Sequence, residues 1–124
     1  MSKKKILVVD DHGSLRYVLS FDLNKVGYEA IGAANAEEGL KKAATESPDL
    51  IIMDMMMPGI DGLEATRLLK RDEKTKNIPV IMLTARSEKS DVITAVKSGV
   101  SCYIVKPYQF NNLYEKVVNL IGKA

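Results

Sequence analysis

Five polar residues whose side chains are suited to chemistry stand where short apolar runs of the sequence end. Asp10 and Asp11 follow the first run, Asp54 the third, Thr84 the fourth and Lys106 the fifth. In an open parallel sheet the carboxyl ends of the strands lie on one edge, and ligands bind outside that edge. If the apolar runs are parallel strands, these five side chains can therefore meet in one crevice.

Three carboxylates in one crevice need a counter-charge. At separations of ~4 Å and an effective dielectric near ~20, each pair repels by several kcal/mol, and one lysine cannot neutralise all three. A divalent cation can, and oxygen ligands favour Mg²⁺ or Mn²⁺ over zinc or copper. Carboxylate, cation, lysine and hydroxyl together indicate phosphoryl chemistry, in which an aspartate can act as a covalent nucleophile.

The elements that position these residues follow an alternating pattern. Short apolar runs alternate five times with amphipathic stretches, which is typical of repeated βα units. The predicted strands span residues 6–9, 28–32, 50–53, 80–83 and 102–105. Right-handed crossovers then predict the fold class α/β, as one doubly wound (βα)5 parallel sheet with helices on both faces.

Start and stop signals mark the intervening helices. Leu15, Val18, Leu19 and Val26 recur near helical spacing, and Gly27 is a stop signal. Two capping-box patterns open later helices. The pairs are Asn35 with Glu38 and Asp61 with Glu64. Ser87 is the predicted cap of the fourth helix, and Gly99 closes it.

Bulk composition indicates one ordinary globular domain spanning residues 1–124. Hydrophobic residues make up 46% and charged residues 27%, so disordered and membrane classes are disfavoured. The net charge is +2, and the basic residues are scattered apart from Lys3 to Lys5, which argues against direct nucleic-acid binding. The single cysteine, Cys102, fits a reducing compartment, and a cytoplasmic location is expected.

Four motifs in order cover nearly the whole chain: VVDD at 8–11, MDMMMPGIDG at 53–62, MLTAR at 82–86 and YIVKPY at 103–108. On these motifs the sequence closely resembles the receiver domain of bacterial response regulators, the phosphorylatable part of two-component systems, and in particular the single-domain chemotaxis type. The resemblance implies a flavodoxin-like sheet with strand order 2-1-3-4-5. It also implies a cis Lys106-Pro107 bond.

The resemblance implies roles for the crevice residues. Asp54 would accept a phosphoryl group from a histidine kinase or a phosphotransfer protein. The implied ligands of Mg²⁺ are Asp11, Asp54 and the backbone carbonyl of Met56, with Asp10 assisting through water. Lys106 and the Thr84 hydroxyl would bind phosphoryl oxygens. No other reaction is implied, so the chain would catalyse only its own phosphorylation and dephosphorylation.

The resemblance also implies a conformational switch. Thr84 would move toward the phosphoryl group and Tyr103 would turn inward, changing the surface of the fourth helix, fifth strand and fifth helix. That surface would contact a downstream protein or a second copy of the chain. Met56 and Arg86 occupy positions that tune the lifetime of the phosphoryl group.

Several alternatives stay open. A degenerate receiver could serve only as a docking module. An aspartate-nucleophile phosphatase of the haloacid-dehalogenase type needs a second aspartate where Met56 stands. A flavin-binding module would need a loop rich in Ser, Thr or Gly after the first strand, where two aspartates stand instead. His12, the only histidine, is either a solvated rim residue or a metal ligand or proton donor. The sequence does not separate chemotaxis, phosphorelay and larger regulators.

Overall fold

The computed structural model describes residues 3–86 and 88–124, in which strands and helices alternate. The strands are β1 (Lys5–Val9), β2 (Glu29–Ala33), β3 (Leu50–Asp54), β4 (Val80–Thr84) and β5 (Cys102–Val105). The helices are α1 (Gly13–Lys25), α2 (Ala36–Glu46), α3 (Gly62–Arg71), α4 (Lys89–Ser98) and α5 (Phe110–Ile121). The strands form one parallel sheet in the order β2-β1-β3-β4-β5, which confirms the predicted fold.

Helices bury both faces of the sheet. Successive side chains of a strand point to opposite faces, so each strand contributes to two cores. On one face Leu7, Ile51 and Met82 pack against residues of α2 and α3. On the other face Ile6 and Ile52 pack against residues of α1 and α5. Full burial of each such side chain contributes roughly 1.5–3 kcal/mol. The central strands are therefore the rigid support on which residues at their ends are held.

The predicted capping residues start α2 and α3. The Asn35 side chain accepts a hydrogen bond from the Glu38 amide (2.8 Å), and the Asp61 side chain accepts one from the Glu64 amide (2.9 Å). Glu38 also accepts a bond from the amide of Ala34 rather than from that of the cap residue itself. These bonds satisfy amides that have no partner within the helix.

Element boundaries differ from the prediction by small amounts. The prediction for β2 was one residue early, because the Tyr28 amide donates to the Leu23 carbonyl of α1 instead of entering the sheet. The N-cap of α4 is Glu88, whose side chain makes no capping bond, and Ser87 lies outside the described residues. Gly99 ends α4 in a left-handed conformation, as predicted.

Candidate functional site

The carboxyl edge of the sheet gathers the acidic residues predicted to meet there. Asp54 is the last residue of β3 and Thr84 the last of β4, so both are still in strand conformation rather than in loops. Asp10 directly follows β1, and its amide continues the strand pairing by donating to the Ala33 carbonyl. Ligand atoms of Asp10, Asp11, His12 and Asp54 all lie within 4.8 Å of one another. The predicted acidic cluster is therefore present.

Lys106 brings a positive charge to this cluster. Its Nζ lies 3.4 Å from Asp54 Oδ1 and 3.9 Å from Asp10 Oδ2. The Lys106 amide donates to the Thr84 carbonyl (2.7 Å), which fixes the backbone directly after β5, and the bond to Pro107 is cis, as the resemblance implied. One ammonium group thus faces two carboxylates.

The electrostatics of Asp54 reflect this crowding. Its side chain is only 5% exposed. Burial is the main cause that raises the pKa of Asp54; Lys106 opposes the rise, and the Asp10 carboxylate adds to it. The ionised form of Asp54 therefore destabilises the folded state, and a bound cation would relieve this destabilisation.

Asp11 provides an independent indication of a cation. Its Oδ1 atom is buried and accepts no hydrogen bond among the residues that the structure describes, although His12 Nδ1 lies 3.2 Å away. A buried, unpartnered carboxylate oxygen is costly unless something positively charged binds it. Together with Asp10 and Asp54, it offers the oxygen donors that Mg²⁺ prefers, so the residues present fit a hard divalent cation.

The loop after β3 carries Met56 and is held by backbone bonds. The Met55 amide donates to the Leu83 carbonyl, and the Gly62 amide donates to the Met55 carbonyl, both at 2.9 Å. A Cβ atom on Gly62 would lie 2.5 Å from the Asp54 carbonyl oxygen and 2.9 Å from the Met55 Cα. Only glycine fits there. This requirement was missed in the sequence, although Gly62 ends the motif and directly follows the cap residue Asp61.

The predicted switch residues converge on the backbone of Arg86. Thr84 Oγ1 accepts a hydrogen bond from the Arg86 amide (3.1 Å), and the Tyr103 hydroxyl donates to the Arg86 carbonyl. The Arg86 guanidinium pairs with Asp91 in the first turn of α4 (Nη2 to Oδ1, 2.9 Å). Burial raises the pKa of Tyr103, and the charge of Asp91 adds to the rise. Asp91, which the sequence did not single out, thus connects α4 to this segment.

The methionine cluster serves packing. Met53, Met55 and Met57 are buried in the core, whereas the Met56 side chain is exposed. The His12 side chain is 60% exposed at the rim, yet its Nδ1 lies 3.2 Å from one oxygen of Asp10 and 3.2 Å from one of Asp11.

Among the described residues, no helix combines the length and apolar character needed to span a membrane.

Comparison with known proteins agrees with this arrangement. A family model described as the response regulator receiver domain matches residues 6–118. The chain is 38% identical over 121 residues to the alkaline phosphatase synthesis transcriptional regulatory protein PhoP of Bacillus subtilis, covering 98% of this chain and 50% of that protein. It is 39% identical over 124 residues to the phosphate regulon transcriptional regulatory protein PhoB of Pseudomonas aeruginosa, covering all of this chain and 54% of that protein. The chain thus spans about half the length of these relatives.

Solved structures give the same assignment. The chemotaxis protein CheY4 of Vibrio cholerae superposes with a TM-score of 0.91 at 30% identity, covering 96% of this chain and 99% of that one. A putative response regulator from Chloroflexus aurantiacus also gives 0.91, at 32% identity, covering 98% of this chain and all of that one. These matches do not favour the docking-module and phosphatase alternatives. The chain belongs to the response regulator receiver domain family, whose members are phosphorylation-dependent signalling domains.

Proposed function

We propose that Asp54 is the phosphoryl acceptor of this receiver domain. The observation that carries the proposal is the single ammonium group, Lys106, 3.4 Å from an Asp54 oxygen that stands beside a second carboxylate, Asp10. An Asp54 oxygen attacks the phosphorus of a phosphohistidine; a P–O bond forms, the P–N bond breaks, and the imidazole leaves. The product is an acyl phosphate on Asp54.

Receiver domains generally depend on Mg²⁺, and the proposal includes this ion, with Mn²⁺ as a substitute. Asp11, Asp54 and the backbone carbonyl of Met56 would hold it, with Asp10 acting through water. When bound, the cation neutralises charge on the phosphoryl oxygens during transfer. The buried Oδ1 of Asp11, which accepts no hydrogen bond among the described residues, supports this assignment.

Lys106 and Thr84 hold the phosphoryl oxygens in this proposal. Lys106 already faces Asp54, so it can contact a phosphoryl group there with little movement. The Thr84 hydroxyl accepts a hydrogen bond from the Arg86 amide, and in this proposal it gives up that bond as it moves to the new group. The Tyr103 hydroxyl is bonded to the same residue, Arg86. Movement of Thr84 therefore disturbs Tyr103 and α4 together. This coupling supports the predicted output surface of α4, β5 and α5.

The phosphoryl donor in this proposal is a protein, because receiver domains accept phosphoryl groups from histidine kinases. An open groove of about 550 Å³ adjoins Asp10 and Lys106, and its walls include Leu15 and Val18 of α1 and Phe110 of α5. Leu15 and Val18 are half exposed. A kinase or phosphotransfer protein seated on this groove would bring its phosphohistidine to Asp54. We expect Val18→Asp to slow transfer from such a protein but not from acetyl phosphate.

Output passes through a protein contact, either with a downstream partner or with a second copy of the chain, rather than through direct contact with nucleic acid. In this proposal the chain is not an enzyme acting on other substrates, since it catalyses only its own phosphorylation and dephosphorylation. It functions inside the cytoplasm with its kinase. The whole of residues 1–124 acts as one receiver unit.

Intact mass after incubation with acetyl phosphate and Mg²⁺ tests the phosphoryl acceptor. We expect one phosphoryl adduct on the native chain and on Asp49→Asn, which changes an exposed aspartate at the opposite end of β3. The adduct should be absent in Asp54→Ala and in the presence of a chelator. An adduct that persists in Asp54→Ala would refute the assignment. Absence of any adduct on the native chain would favour the docking module.

The phosphoryl lifetime tests the remaining site residues. Exchange of both Met56 and Arg86 for alanine should change the hydrolysis rate of the acyl phosphate, because both follow strand ends that border it. Arg67→Ala is the matched control, since Arg67 pairs with Glu64 on α3. An unchanged rate in the double variant would contradict their tuning role.

A further inference from the structure

The imidazole of His12 lies at the acidic cluster and does not cap α1. His12 is the N-cap residue of α1, yet its side chain makes no capping bond. Its amide donates to Asp10 Oδ1 (2.9 Å), which ties the residue to the cluster through its backbone. The ring is turned toward the acids, with Nδ1 at 3.2 Å from Asp10 Oδ1 and at 3.2 Å from Asp11 Oδ1.

These distances match the spacing of ligands around one cation. For metal–ligand bonds of about 2.1 Å in octahedral geometry, neighbouring ligand atoms lie about 3.0 Å apart and opposite ones about 4.2 Å apart. The two separations of Nδ1 from carboxylate oxygens are close to the first value. The full set with Asp54 falls within 4.8 Å, somewhat more than the second value. One ion can therefore contact all four side chains after small movements.

We infer that His12 is an additional ligand of the cation site and shifts its preference toward transition metals. The inference rests on the proposed function, in which Asp10, Asp11 and Asp54 bind a divalent cation. Imidazole nitrogen suits Ni²⁺ and Zn²⁺, whereas Mg²⁺ prefers oxygen and keeps its waters. Ligation through Nδ1 uses the ring tautomer that carries its proton on Nε2. His12 thus strengthens the binding of Ni²⁺ and Zn²⁺ while contributing little to that of Mg²⁺.

A purely electrostatic role for His12 predicts a different result. A ring that interacts with Asp10 and Asp11 only electrostatically would be displaced by every cation equally. Its removal would then change the affinities for Mg²⁺ and Ni²⁺ by the same factor and in the same direction. The ratio of the two affinities separates ligation from this alternative.

Calorimetric titration of the untagged chain with Mg²⁺ and with Ni²⁺ measures that ratio. Because His12 is the only histidine, an affinity tag must be removed. We expect His12→Ala to weaken Ni²⁺ binding at least about tenfold, the lower end of what losing even a residue that supports a metal ligand costs. Mg²⁺ binding should stay unchanged. His12→Gln should behave alike, and Cys102→Ser, which removes the only thiol, should bind both ions normally.

The outcomes separate this inference from the proposed function. Equal changes for both ions, or no change for either, in His12→Ala would overturn ligation by His12. Failure of the native chain to bind Mg²⁺ would overturn the proposed cation site, whatever Ni²⁺ does. NMR provides a second readout: the ¹⁵N signal of His12 Nδ1 should shift on addition of diamagnetic Zn²⁺. An unchanged ¹⁵N signal at saturating Zn²⁺ would contradict the inference.

Discussion

The two ends of the sheet differ in whether their charged groups have partners. At the amino ends of the strands, the Lys5 amide donates to Asp49 Oδ2 and the Asp49 amide donates to the Lys5 carbonyl, both at 2.8 Å. Lys4 Nζ donates to the carbonyls of Ile121 (2.8 Å), the last residue of α5, and of Lys123 (2.7 Å), which follows the helix. At this end, these backbone groups and charged side chains have hydrogen-bond partners within the fold.

The carboxyl end carries unmatched charge. Asp10 and Asp54 are buried with Lys106 as their shared cation, and the buried Oδ1 of Asp11 has no hydrogen-bond partner in the described part of the chain. Like charges at this end oppose folding, while the strands that carry them are among the most buried in the molecule. The comparison teaches that a rigid core holds the site residues in an arrangement that is electrostatically unfavourable without a bound cation.

Crowding at the carboxyl end predicts the largest mutational effect. Gly62→Ala would place a methyl group against the Asp54 carbonyl and the Met55 Cα, and neither backbone atom can yield cheaply. We expect a loss of about 3 kcal/mol in the free energy of unfolding, at the upper end of typical overpacking. Urea denaturation measures it. In the matched control, Gly13→Ala, the nearest atom is Arg16 Nη2 at 3.7 Å, and little loss is expected. Equal effects of the two substitutions would contradict the clash.

Mg²⁺ should selectively stabilise the carboxyl end. Binding to the folded chain alone raises the free energy of unfolding by about 2.7 kcal/mol at a free concentration of about 100 times Kd. Thermal melts in Mg²⁺ and in chelator measure this difference. Asp49→Asn at the amino end should keep the full response, and Asp54→Asn should lose most of it. A melting temperature that ignores millimolar Mg²⁺ in the native chain would argue against the cation site.

Removing one negative charge at each end should have opposite effects in metal-free buffer. Asp54→Asn removes a buried charge and its repulsion with Asp10 and should raise the free energy of unfolding. Asp49→Asn weakens a charged acceptor for the Lys5 amide and should lower it, by less than about 1 kcal/mol because the residue is exposed. Equilibrium unfolding in chelator measures both. A decrease for Asp54→Asn would mean that its pairing with Lys106 outweighs the repulsion.

Much of the carboxyl end could be predicted from the sequence because the position of these residues along the chain determines where they lie in the sheet. Each βα unit places the residue after an apolar run at the same edge, so Asp10, Asp54 and Thr84 follow from counting strands. Contacts across the fold cannot be counted in this way. The pairing of Arg86 with Asp91 depends on how α4 follows its loop, and the exposure of Val18 depends on which side of α1 meets the sheet.

The smallest expected effects come from Asp54 and Glu38, two acidic residues near the carboxyl ends of the strands. They give a sharp test because their pKa values shift in opposite directions. Burial raises the pKa of Asp54 above 3.8, so its ionised form weakens the metal-free fold; this penalty is complete above the raised pKa and vanishes below 3.8. For Glu38, the Ala34 amide is the largest cause that lowers the pKa below 4.5; the resulting stability is present above 4.5 and is lost as the pH falls through the folded-state pKa. The gain from Asp54→Asn and the loss from Glu38→Gln should therefore both shrink as the pH falls from 7. Urea denaturation in chelator across this range follows both differences, which should approach zero from opposite sides. A gain from Asp54→Asn that stays constant down to the lowest pH at which the chain is folded would show that its origin is packing rather than charge.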